Sequence, residues 1–196
     1  MPRWIEFYSF DCANKTLGFV HAWINVEIRK DLETAQTPGR WLALVKTWLI
    51  IKEYGVVDLL GGAGFREIDE ISRARALKQF CELQDVNPDA YVLIENQSNI
   101  NGGTGPVQSQ LLFAFADANT RLVNPRRKNK ISLGPSTEYR LFADKFSSTY
   151  DANKAHTTAC LFVLMEIFGL KLTIDDKSDD LADAIMQMLA FAFSEF

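Results

Sequence analysis

Ala90-Tyr91-Val92-Leu93-Ile94 is a continuous apolar run that breaks abruptly into Glu95-Asn96-Gln97. A strand with one wet face alternates apolar and polar side chains. A run that is apolar at every position reads as a strand buried on both faces, and such strands sit in sheets with parallel neighbours and helices on either side. This stretch therefore points to an α/β architecture. It also leaves a carboxylate at the C-terminal end of a central strand, where sites gather in open α/β sheets.

The flanking sequence supplies the rest of a mixed sheet. Trp4–Cys12 is aromatic-rich and strand-like, Leu17–Ile28 is a second strand, and Ala13–Thr16 is the turn of an antiparallel hairpin. Asp11 then ends the first strand as Glu95 ends the central one. Asp31–Arg40 reads as a loop, and Trp41–Tyr54 has helical spacing, although Ile50-Ile51 allow a strand. Gly55–Leu60 is a short strand closed by Gly61-Gly62-Ala63-Gly64. No Lys-Ser or Lys-Thr follows those glycines, so they do not form a phosphate-cradling loop. Glu67–Leu83 is a helix, Ser98–Gly105 a glycine-rich loop, and Pro106–Ala118 a helix with proline at its first position. Arg121–Pro125 is a last strand. Ser136–Phe146 and Thr157–Phe168 read as helices, the second stopped by Gly169. The expectation is a central mixed five-stranded sheet flanked by helices, in the ribonuclease-H-like arrangement, formed by one domain over residues 1–196.

The C-terminal segment carries five aspartates in nine residues, Asp175, Asp176, Asp179, Asp180 and Asp183. Leu181, Ile185, Met188, Ala192 and Phe196 recur at helical spacing, so the acids open an amphipathic helix starting near Ser178. At about 100° per residue, Asp176, Asp180 and Asp183 share a narrow line beside its apolar side. Carboxylates crowded on one line repel each other, and a divalent cation relieves that repulsion. If the strands of Asp11 and Glu95 are neighbours, about 5 Å apart, and this helix packs over them, all these acids meet at one edge. Such a set suits hard, oxygen-preferring ions, Mg²⁺ or Mn²⁺, two of which support phosphodiester hydrolysis.

Composition narrows the alternatives. The net charge of −4 opposes nucleic-acid binding by bulk electrostatics, and Arg126-Arg127-Lys128-Asn129-Lys130 is the only dense basic run. That run fits phosphate contacts or a solvated loop. Three widely spaced cysteines fit reduced thiols inside a cell rather than a disulfide framework. His21 and His156 lack metal-ligand spacing. The longest apolar stretch, around Ala159–Ile167, is too short to span a bilayer and is broken by Glu166. The N-terminus lacks the build of a signal peptide. Neither a cysteine nor a serine stands in a nucleophile motif.

Three stretches resemble the acidic motifs of RuvC-like Holliday junction resolvases, most closely the branch of poxviruses and other large nucleocytoplasmic DNA viruses. They are Ser9-Phe10-Asp11-Cys12-Ala13-Asn14-Lys15-Thr16-Leu17-Gly18, Val92-Leu93-Ile94-Glu95-Asn96-Gln97, and Lys177-Ser178-Asp179-Asp180-Leu181-Ala182-Asp183-Ala184. The family patterns run Asp-x-Gly-x-Lys-Asn-Leu, Ile-Glu-x-Gln and Lys-x-Asp-Asp-x-Ala-Asp. Here Ala13 stands for the glycine and Thr16 for the asparagine. The resemblance implies a homodimeric Mg²⁺- or Mn²⁺-dependent endonuclease with two ions per site, placing paired nicks in four-way DNA. It implies Asp11, Glu95, Asp180 and Asp183 as metal-binding acids, with Asp179 as an alternative ligand. Lys154, from the basic segment before the penultimate helix, would stabilise phosphate charge. Lys15 and Lys177 either hold neighbouring phosphates or balance the acids, and Arg126, Arg127, Lys128 and Lys130 fit a DNA-arm contact. The helix after Glu95 would offer Val107, Leu111 and Phe115 either to the core or to the dimer. A viral source would imply work at host-cell replication sites. Two other readings stand beside this one, a ribonuclease-H-type enzyme on RNA–DNA hybrids and a non-catalytic junction-binding protein.

Overall fold

A computed structural model describes residues 2–28, 38–61, 69–97, 105–133, 135–171 and 178–196. Residues 31–37 of the predicted Asp31–Arg40 loop, 62–64 of the Gly61–Gly64 turn, 98–104 of the Ser98–Gly105 loop, and Asp175, Asp176 and Lys177 lie outside the described residues, while Pro38–Arg40 open a helix instead of ending the loop.

The sheet has five strands, β1 Trp4–Cys12, β2 Thr16–Asn25, β3 Leu49–Asp58, β4 Tyr91–Glu95 and β5 Asn119–Val123, ordered β3-β2-β1-β4-β5. The first three form an antiparallel meander, while β4 joins β1 and β5 in parallel. The fully apolar 90–94 run is accordingly the only segment flanked by two parallel partners among the described strands, with Val92, Leu93 and Ile94 all at 0% exposure.

Helices cover both faces. One carries α1 (Pro38–Trp48), α5 (Thr149–Phe168) and α6 (Ser178–Glu195), and the other carries α2 (Glu70–Leu83) and α3 (Gly105–Ala114). A four-residue helix, α4 (Arg140–Ala143), precedes α5. Because strand side chains alternate, Phe7, Ser9 and Asp11 of β1 face α6, whereas Tyr8, Phe10 and Cys12 face α2 and α3. The β1–β4 register runs to Phe10 opposite Ile94. One step on, Asp11 and Glu95 leave the sheet side by side on the α6 face.

Several boundaries differ from the sequence expectation. The 41–54 stretch divides into α1 and the long strand β3, because Leu49–Tyr54 finds backbone partners along β2 that helical spacing cannot reveal. The predicted 136–146 helix is a 3-10 turn at Pro135–Thr137 followed by α4. Helix α5 starts eight residues earlier than predicted, capped by Ser148, whose hydroxyl accepts from the Asp151 N–H at 3.4 Å. Gly169 closes it in the left-handed conformation at φ 64°. Val107, Leu111 and Phe115 are core residues at 1%, 0% and 5% exposure, filling the space between α3, α2 and the sheet. They are therefore not available to a dimer, and the large apolar side chain that α3 turns outward is Phe113, 86% exposed.

Helix α6 departs most from its expected form. Instead of one buried stripe, every residue from Leu181 to Ala192 is buried. The helix lies between the sheet, α5 and the 3-10 segment Pro125–Lys130.

Candidate active site

The first turn of α6 reaches the C-terminal edge of β1 because β2 carries glycine where they meet. A Cβ on Gly18 would run into the backbone carbonyl of Asp180 and lie 2.9 Å from the Leu181 nitrogen. Gly18 is also the partner of Asp11 in the β1–β2 ladder. Absence of one methyl thus lets the acidic turn seat beside the strand-end carboxylate.

Two more contacts fix that seat. Thr16 Oγ1 donates to Asp180 Oδ2 at 2.5 Å. One turn past Asp183, the buried Gln187 amide donates to Ser9 Oγ at 3.1 Å and to the Phe10 carbonyl at 3.3 Å. Gln97 extends the rim, its amide donating to the Cys12 carbonyl at 3.0 Å and Glu95 Oε2 at 3.3 Å.

Five carboxylates gather here, Asp11, Glu95, Asp179, Asp180 and Asp183, with two ammonium groups among them. Lys154 Nζ lies 2.7 Å from Asp183 Oδ2 and 3.0 Å from Asp179 Oδ2. Lys128 Nζ lies 3.3 Å from Asp183 Oδ1 and 3.5 Å from Glu95 Oε1. Lys128 is 6% exposed, so it is a member of this cluster and not an outward residue of a basic loop. The 3-10 turn explains it. With three residues per turn, successive side chains point about 120° apart, so one of Arg126, Arg127 and Lys128 faces inward.

The electrostatics follow from burial and crowding. Burial, then the hydrogen bond and charge of Glu95, push the Asp11 carboxyl well above the usual carboxylate range, with Lys128 opposing. Burial also raises Asp180, and the Thr16 hydrogen bond offsets part of that. Burial works to lower Lys154 and Lys128, but the acids outweigh it and hold both ammonium groups above the ordinary lysine range.

Whether the set fits a hard divalent cation can be judged from its charge and donors. All five acids offer oxygen, and five potential negative charges exceed two positive ones, a surplus that such a cation would neutralise. Among the described residues no three acidic, histidine or cysteine side chains stand as a ready coordination shell. The lysine ammonium groups lie between the acids instead.

The other predicted residues lie farther out. Lys15 is half-buried in the hairpin turn, where its carbonyl accepts from the Leu59 N–H at 2.8 Å. Arg126 is exposed. Arg127 is turned along α6 to Glu195 Oε1 at 2.9 Å and Ser194 Oγ at 3.1 Å. The side chain of Lys130, like all of Lys177, is outside the described residues. Thr16 and Gly18 lie within the first acidic motif without a role assigned to them, and Gln187 lies outside all three motifs; all three build the site. The signal for Gln187 is an amide set among apolar residues of the last helix.

No protein-family model matches the chain, and no curated protein matches it by sequence. Solved structures do match its shape. RuvC of T. thermophilus in complex with a Holliday junction substrate superposes with TM-score 0.56 at 13% identity, over 96% of this chain and 94% of that one. Another Thermus thermophilus RuvC structure gives 0.53 at 13% identity over the same shares. Fowlpox virus resolvase in complex with Holliday junction DNA gives 0.51 at 16% identity, over 97% of this chain and 98% of that one. The chain shares the fold of these RuvC and resolvase structures.

Proposed function

We propose that this chain is a divalent-metal-dependent endodeoxyribonuclease that resolves four-way and other branched DNA by paired nicks. The single observation that carries the reading is the convergence of carboxylates from β1, β4 and α6 on one sheet edge, interleaved with two lysines. The likeness of the whole fold to resolvases solved with junction DNA supports the choice of substrate.

In this reading Asp11, Glu95, Asp180 and Asp183, with Asp179 in reserve, hold Mg²⁺ or Mn²⁺. Two bound ions would supply activated water and charge stabilisation for the leaving oxygen. The chain's own residues do the rest. Thr16 holds the Asp180 carboxylate in one rotamer. Lys154, only partly buried, offers its ammonium to the scissile phosphate, where fixed positive charge counters the charge that develops in the transition state. Lys128 keeps Glu95 and Asp183 apart from one another's repulsion. Lys15, Arg126, Lys130 and Lys177 supply backbone phosphate contacts, which position DNA without reading sequence.

A four-way substrate offers two equivalent strands, so the paired nicks call for a homodimer. Exposed Phe113 on α3 is the anchor of that contact. The three free cysteines are buried, in keeping with an intracellular, reducing setting. Among the described residues no helix is long and apolar enough to cross a membrane.

The test incubates labelled four-way junction, linear duplex and RNA–DNA hybrid with the protein plus Mg²⁺, Mn²⁺ or EDTA. Paired, EDTA-sensitive nicks on the junction are expected. Glu95→Gln is expected to remove cleavage and keep junction binding. Preferential cutting of the hybrid would replace this reading with a ribonuclease-H-type one, and binding without cleavage under either metal would remove the catalytic assignment.

A further inference from the structure

The two lysines come from segments that are distant in sequence, the 3-10 turn at Pro125–Lys130 and the second turn of α5. Their neighbours in sequence touch. Asn129 Nδ2 donates to Asn153 Oδ1 at 2.9 Å, and the Tyr139 hydroxyl donates to the same oxygen at 2.7 Å. One amide oxygen thus joins the residue after Lys128, the residue before Lys154, and the connection between them. Tyr139 is itself held edge-on against buried His156, one ring centroid 5.4 Å from the other.

We propose that Asn153 is a positioning residue, a clamp that sets the spacing of Lys128 and Lys154 over the carboxylates. The physical need is plain. Both ammonium groups carry long, flexible stems, and each is attracted to more than one acid, Lys128 to Glu95 and Asp183, Lys154 to Asp179 and Asp183. Asp183 is common to both. Electrostatic attraction alone does not choose among such pairings, because it is long-ranged and weakly directional. Directional side-chain hydrogen bonds between the two segments can choose. The far side of the 3-10 turn is held independently, by Asn124 Oδ1 accepting from the Arg126 N–H at 2.9 Å and by Arg127 on Glu195. Asn153 completes the fixation on the side that faces α5.

The proposal predicts a contrast that a merely supportive residue would not give. Asn153→Ala removes the shared acceptor, whereas Asn153→Asp still accepts from both Asn129 and Tyr139. Two lost hydrogen bonds of ordinary strength correspond to roughly tenfold, so junction kcat should fall about tenfold in Asn153→Ala, with KM within about twofold. Asn153→Asp should stay within about threefold of the natural chain, and Tyr139→Phe should fall between. Asn129→Ala combined with Asn153→Ala should lose no more than Asn153→Ala alone, since the Asn129 bond is one of the two that Asn153→Ala already removes. The catalytic arm rests on the nuclease reading, so a second arm does without activity. Reductive methylation of Lys128, followed by mass spectrometry, should be slow in the natural chain and Asn153→Asp, and about tenfold faster in Asn153→Ala. Equal labelling of Lys128 in Asn153→Ala and the natural chain, or additive losses in the double variant, would overturn the clamp. A natural chain that cuts nothing would overturn the nuclease reading, with the labelling contrast still deciding the clamp.

Discussion

Gly18→Ala is the smallest change that should disable this site. The added methyl would meet backbone atoms, the Asp180 carbonyl and the Leu181 nitrogen, not a side chain that can swing away. To restore ordinary carbon contacts near 3.5 Å, the start of α6 must retreat by roughly 1 Å. Overpacking of this kind costs about 1–3 kcal/mol. At ~2–4 °C of melting temperature per kcal/mol for a chain of this size, the loss should be roughly 4–8 °C at the middle of that range. The site should suffer more than the fold. A misplacement of about 1 Å at reacting groups can cost on the order of 100-fold in rate, and here Asp180 and Asp183 both ride on the displaced turn. Melting followed by circular dichroism and single-turnover junction cleavage, both below the variant's transition, separate the two effects. A Gly18→Ala chain that melts and cuts like the natural one would refute the seating of α6 on β2, and with it the geometry of the acidic cluster.

Asp11→Asn should abolish cleavage yet leave melting unchanged or raise it by about 1 kcal/mol, because it removes one buried carboxylate from a like-charged group; a large loss of stability would contradict the crowding. Lys128→Ala takes the buried ammonium from Glu95, while Asp183 keeps Lys154, and should cost ~3 kcal/mol in denaturant titration, whereas exposed Arg126→Ala should change stability by less than about 0.5 kcal/mol and show itself only as weaker, salt-sensitive junction binding. Burial lowers His156 below the ordinary histidine range. Its contribution to stability is therefore whole above pH ~6.5 and is lost as pH falls through that value toward the folded pKa, since the unfolded chain takes up the proton first. His156→Gln should flatten the stability profile below about pH 6.5, and an unchanged slope there would rule His156 out as its source.

How much of this was legible beforehand depended on whether the determining contact was local. The 90–94 run announced its double burial in its own composition, and from there the parallel centre of the sheet followed. Asp11 and Glu95 could be read as strand-end acids, but their meeting depended on β1 and β4 being neighbours, which the sheet order supplies. The acidic helix was visible from its spacing, but its burial on all sides was not, since that depends on what α5 and the 3-10 segment bring to its far side. Lys128 was hidden for a comparable reason. Five basic or polar residues in a row look solvated, and only the three-residue turn, with acids waiting beneath one of its faces, draws a single lysine inward. The early start of α5 is a different case, because Ser148 and Asp151 stand at the right spacing for a helix cap, yet the polar Thr149–Asn153 stretch lacks the apolar rhythm that marks a helix. Leu49–Tyr54 had apolar residues compatible with both periods, and the partner strand decided.

The contact between Thr16 and Asp180 spans 164 positions, and that between Ser9 and Gln187 spans 178. Closing loops of that length is entropically slow, so the cluster should form late, in the same step that completes the tertiary fold. Local folding of the hairpin or of β4 would present one carboxylate at a time, without the helix and without either lysine in place. A nuclease assembled this way would be inert while partly folded and again whenever α6 lifts off the sheet. Cutting power would then be gated by the cooperativity of folding itself.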